Sequence, residues 1–182
     1  MTGRAGPRRW FGAGVLLATA VAAPGPARAE LLQVRQVAAG MECPECARGL
    51  RVLVNALDGV EEAATSWNRR ILTVRLRSGN HATLDQIRAV VVKQHFVARE
   101  ADVVVAGALT VDAEGGATLV VTESGSRYRL TVGSPHVGEW ISALGARTVA
   151  RVVVTGRVPP AASAGSATGD LLSLSATDIQ AG

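Results

Sequence analysis

Gly40-Met41-Glu42-Cys43-Pro44-Glu45-Cys46 holds both cysteines of this chain, between a strand-like run and a helix-like run. Two thiols three positions apart at the mouth of a helix form a pincer for a soft metal ion, or a redox-active dithiol. The helix N-terminus favours thiolate over thiol, while the neighbouring Glu42 and Glu45 oppose it. Pro44 has a fixed φ that suits a helix start and stiffens the loop. So short a loop between the cysteines would constrain the unfolded chain little, so the pair reads as functional rather than structural.

Outward from the loop, Leu31 to Val37 alternates as a first strand. Ala47 to Leu57 places Leu50, Leu53, Val54 and Leu57 on one helical face, and Asp58-Gly59-Val60 stops the helix. Glu61 to Trp67 and Ile71 to Leu76 read as two strands around an Asn68-Arg69-Arg70 turn. Thr83 is placed to cap a second helix, with Leu84, Ile87, Val90 and Val91 on its buried face to about Gln94. Phe96 to Ala101 supplies a fourth strand. The order is β-α-β-β-α-β, the ferredoxin-like split unit.

Strand-rich runs follow at Asp102 to Val111, Ala117 to Val121 and Tyr128 to Val132. Pro135 to Leu144 is helical in pattern; Val149 to Val158 and Leu171 to Ser175 are strands. Three strands, a helix and two strands match an OB-like barrel by element order. The expected fold is therefore α+β, with a ferredoxin-like unit over 30–101 and a small, mainly-β OB-like unit over 102–182. Pro159 to Gly169 reads as a loop. No Pro/Gly-rich linker occurs near residue 102. Two rigidly coupled units, or one strand running on between them, both fit.

Residues 1–29 have Arg4, Arg8 and Arg9, an apolar run from Trp10 to Ala23, and Ala27-Arg28-Ala29 before Glu30. That is the pattern of a cleaved secretory signal, implying a periplasmic or secreted protein without a stable membrane anchor. Arg8-Arg9-Trp10-Phe11 leaves a twin-arginine route open beside the general one. The leader carries four of the 19 Lys and Arg and none of the 15 Asp and Glu, which leaves 15 of each and no net charge beyond it. The basic balance thus gives no support for nucleic-acid binding, and an aromatic content of 3% gives none for base stacking.

Gly-Met-x-Cys-x-x-Cys between a first strand and a first helix, followed by Asp58-Gly59-Val60 and a second αβ half, resembles the heavy-metal-associated domain family. That family includes periplasmic mercury-binding proteins, copper chaperones and the soluble domains of metal-pumping ATPases. The resemblance covers about residues 31–101. It implies that Cys43 and Cys46 ligate a metal ion and that Met41 packs beneath the loop. It also implies that a membrane metal transporter or efflux ATPase is the partner. Two thiolates suit Cu(I) or Hg(II); Zn(II) or Cd(II) would need further ligands. In related domains an acidic residue before the first cysteine goes with divalent ions, which makes Glu42 an auxiliary candidate. A solvated charge is the plainer reading of Glu42. The family has Gly-Tyr where this chain has His95-Phe96. Phe96 can keep the packing role, and His95 is a second auxiliary candidate or an exposed helix-end histidine. Lys93, the one lysine, lies in the same turn and could neutralise a dithiolate complex. His81 and His136 have no partners at recognisable spacing, and Trp67 and Trp140 read as core or half-buried.

The expected function is soft-metal binding and delivery without catalysis. The pattern contains no Ser/His/Asp set, phosphate loop or paired carboxylates. Two other readings stand beside it. A thiol-disulfide oxidoreductase would use the same pair, although Pro44 follows the first cysteine and no Trp precedes it. A noncatalytic interaction or sensor protein would use the second unit. An oxidising compartment would tend to close the pair into a disulfide, which blocks metal binding.

Overall fold

The computed structural model describes residue 2 and residues 30–160 and 171–182. The signal read over 1–29, and the loop read over Pro159–Gly169 beyond residue 160, lie outside the described residues. Eight strands and three helices follow one another as β1 (Leu31–Ala39), α1 (Pro44–Asn55), β2 (Val60–Ser66), β3 (Ile71–Leu76), α2 (Leu84–Lys93), β4 (Val97–Val111), β5 (Ala117–Val121), β6 (Ser126–Val132), α3 (Pro135–Leu144), β7 (Thr148–Val158) and β8 (Leu172–Ala181). Among the described residues no helix is long and apolar enough to cross a membrane.

The first half is an antiparallel sheet in the order β2-β3-β1-β4. Period-two alternation drives it: Val34, Gln36 and Ala38 of β1 point inward with Leu72 and Val74 of β3. Against this face pack Ala47, Leu50 and Val54 of α1 and Leu84, Ile87 and Val91 of α2. Thr83 caps α2 in a reciprocal box with Gln86, as its position predicts. Leu53, expected on the buried face of α1, is 41% exposed, because the helix turns only a narrow stripe onto the sheet. Trp67 is also exposed, at 47%, since the turn after β2 carries it off the end of the sheet; Trp140 is partly buried.

In the second half β4-β5-β6 form a meander, β6 pairs with β8 in parallel, β8 with β7, and β7 returns to β4. These five strands close into a ring, which leaves no free edge in that half. The helix α3 starts at Pro135 behind the Ser134 cap. The last strand runs well past the expected Ser175, to Ala181. Its first half pairs with β6 and its second half with β7, with Ile179 buried.

The strand β4 belongs to both halves. Its first residues pair with β1 alone, its middle with β1 and β7, and its last with β5 and β7. The expected boundary between 101 and 102 falls inside it, where Ala101 and Asp102 bond across to β1 and β7. A single apolar core runs through both halves. Polar contacts lock the same junction. Arg88 on α2 is 4% exposed and donates to Gln36 Oε1 (3.1 Å), Arg99 O (3.3 Å) and Pro159 O (2.7 Å). Burial lowers its pKa, and the nearby Asp85 charge opposes that shift. Tyr128 on β6 is buried beside the same charges. Burial, reinforced by Asp85, pushes its phenol up to about 12, while Arg88 pulls the other way. His81 Nδ1 lies 2.7 Å from Glu123 O across the same junction.

Candidate metal centre

The loop between β1 and α1 is built from the sheet upward. Gly40 leaves β1 at φ +93, a backbone that residues with a Cβ rarely adopt, and Phe96 packs beside it: a Cβ there would lie 3.8 Å from the Phe96 ring. Met41 is fully buried beneath the loop, as the resemblance implied, and such burial contributes about 1.5–3 kcal/mol to holding it. The register Ala39↔Val97 brings the start of β4, and with it Phe96, to the same end of the sheet.

The helix α1 begins at Pro44, ahead of the Ala47 start that the apolar periodicity indicates. The reason is the cap. Cys43 is the N-cap residue, and its Sγ accepts from the Cys46 N–H at 3.0 Å, with Pro44 in the first turn where no N–H is needed. Thr65 Oγ1 donates to Ala47 O at 3.1 Å, and Asn55 Oδ1 accepts from Ala63 N at 2.8 Å, so β2 fixes both ends of the helix. The two cysteines are half-buried, with Cα atoms 5.2 Å apart, and their sulfurs are joined in a disulfide. In this state the sulfur lone pairs remain but the thiolate charge is absent, so the structure represents the closed form of the pair.

Around the pair the other singled-out residues separate. Glu42 is exposed, and its Oε1 meets Arg70 Nη2 at 3.1 Å. Glu45 lies 3.9 Å from Arg48 on α1, a weak i,i+3 pair. His95 is exposed directly after α2, in the left-handed region at φ +63. Lys93 is exposed in the last turn of α2. Among the described residues no three His, Cys, Asp or Glu side chains converge into a set that could hold a metal ion. The sulfur pair is therefore what this loop brings together, and Glu42 and His95 do not join it in a ligand set. His136, remote from the loop, lies 3.7 Å from Asp178.

Nothing in the sequence signals the role of Arg70. It sits at φ +55, its carbonyl accepts from Ala38 N at 2.8 Å, and its side chain returns to Glu42. Arg70 and His95 are the two non-glycine residues with positive φ among those described, and both border the same end of the sheet. Glu42, Trp67, Asn68 and Arg70 line a 260 Å³ cleft beside the loop. Larger hollows of 330 and 530 Å³ lie on the second half and contain no cysteine.

No protein-family model matches the chain, and no curated protein is similar to it. Two solved structures resemble part of it. One is the yeast copper transporter domain Ccc2a, solved in apo and Cu(I)-loaded states, at 24% identity over 37% of this chain and 90% of that domain, with a TM-score of 0.34. The other is a Bacillus anthracis strain Ames protein named for a proposed copper-ion binding, at 26% identity over 40% of this chain and 99% of that protein, also with a TM-score of 0.34.

Proposed function

We propose that this protein binds a soft metal ion through Cys43 and Cys46 and carries it outside the cytoplasm, handing it on by thiolate exchange without catalysing a reaction. One observation carries the reading: both sulfurs stand at the first turn of α1, with Cys43 Sγ already accepting the Cys46 N–H. Opening the disulfide with a dithiol reductant would give two thiolates at a helix N-terminus, a donor set for Cu(I) first and Hg(II) next. Zn(II) and Cd(II) would need Glu42, His95 or water as further ligands. The ferredoxin-like half is the metal carrier in this reading. The ring of β4 to β8, with its order of three strands, a helix and two strands, is read as an OB-type barrel that engages a partner such as a membrane transporter or efflux ATPase. The leader over 1–29 would direct export.

The test is anaerobic competition for Cu(I), Hg(II) and Zn(II) between the reduced protein and calibrated chelators. Binding of one ion per chain, lost in Cys43→Ser and in Cys46→Ser, is the expected result. Equal binding by the serine variants would sink the reading. The disulfide itself favours a second reading, thiol-disulfide exchange, in which an incoming thiolate attacks one sulfur and the other leaves as thiolate. Rapid turnover of a dithiol or disulfide substrate, together with no metal binding, would select it.

A further inference from the structure

We propose that Arg70 is a specificity-determining residue of the cysteine site, favouring a monovalent two-coordinate ion over divalent ions. The inference rests on the metal-binding reading and asks why an arginine occupies this position. The turn Trp67-Asn68-Arg69-Arg70 closes with Arg70 N donating to Trp67 O at 3.2 Å, and it needs left-handed backbone at its last residue. Glycine or asparagine adopts that conformation most readily, and arginine does so only against a steric penalty. Ala38 N, at the end of β1, holds the Arg70 carbonyl at 2.8 Å. That bond anchors the guanidinium at the edge of the cysteine loop, where it holds Glu42, the residue immediately before Cys43.

Two effects of this placement act in the same direction. A dithiolate holding Cu(I) carries one net negative charge, whereas a dithiolate holding Zn(II) is neutral. A nearby guanidinium therefore favours the first over the second, by as much of its charge as Glu42 leaves uncompensated. Zn(II) also seeks further ligands, and a carboxylate oxygen is one it accepts. The Glu42 and Glu45 carboxylates each stand one residue before a cysteine, and Arg70 already occupies the first of them. Cu(I), satisfied by two sulfurs, loses nothing by that. Arg70 and Glu42 are about half and two thirds exposed, so the bias is modest.

The test uses the reduced whole protein under anaerobic conditions, competing separately for Cu(I) and Zn(II). Arg70→Asn removes the charge but keeps a residue that tolerates left-handed backbone. The ratio of Cu(I) to Zn(II) affinity is expected to fall about two- to fivefold in this variant. It should return toward wild type in Arg70→Lys, and the gain in Zn(II) affinity should vanish in Arg70→Asn/Glu42→Gln. An unchanged ratio in Arg70→Asn, or a Zn(II) gain that survives the second substitution, would overturn the proposal. Failure of the underlying reading looks different: the wild type then binds neither ion in a cysteine-dependent way.

Discussion

The two halves of this molecule handle their backbones in opposite ways. The first half is an open sheet whose end carries a loop, and its two left-handed non-glycine residues, Arg70 and His95, border that end. The second half closes on itself, and its close approaches are made by glycines packed against neighbouring backbone. A Cβ on Gly156 would lie 2.5 Å from Ser175 O, and one on Gly133 would lie 2.6 Å from Ala176 O. Unfavourable backbone is thus tolerated where side-chain chemistry is displayed, and removed where strands must fit. The contrast separates a half that ends in an open loop from a half that closes on itself.

That contrast rests on the two halves folding as one unit, and Arg88 tests it most severely. Arg88→Met would leave Gln36 Oε1 and Pro159 O without this donor at the junction. Gln36 is buried and Pro159 is exposed, so a loss of about 1–3 kcal/mol is expected, for one orphaned buried group. Urea unfolding followed by far-ultraviolet circular dichroism and by fluorescence should show one transition moved to lower urea. Two separate transitions would break the picture of a single unit. Gly156→Ala strikes the ring alone. The backbone oxygen it meets cannot swing away, so about 1–3 kcal/mol of destabilisation is expected. The metal affinity of the folded, reduced protein should not change; if it drops, closure and site are coupled and the contrast fails. Gly49→Ala is the gentlest probe. Gly49 lies inside α1, and a Cβ added there would meet nothing within 4 Å, so alanine should raise stability by about 0.5–1 kcal/mol through helix propensity. A higher urea midpoint is the readout, and a lower one would mean that α1 is held by something other than its own backbone preference.

Much of the first half could be read in the chain itself. The alternation of β1 and the Thr83 cap act locally, and local signals survive translation into structure; the first helix, read to Leu57, ends at Asn55. The cysteine loop was legible for the same reason, since motif, cap and helix start lie within a few residues. Features that depend on distant partners were not. Arg88 looks like a surface charge on an amphipathic helix until Gln36, Arg99 and Pro159 surround it. Glu42 looks solvated until the turn at 67–70 folds back beside it. The far end of β8 lies beyond Ser175, where the sequence reading stops the strand, and it is held there by pairing with β7. The spacing left a metal pincer and a redox dithiol both open; in the structure the two sulfurs are joined, so the open dithiol is a state that a reductant must create.

Because β4 is a single 15-residue strand threaded through both halves, it also constrains how the chain can change over generations. One inserted or deleted residue near its middle would invert the in-and-out alternation on one side relative to the other. The exchange of whole modules, by which many two-part proteins diversify, has no permissive joint here. Variation is channelled instead into loops such as 40–43 and 67–70, where the cleft beside the cysteines can be reshaped while the shared strand keeps its length.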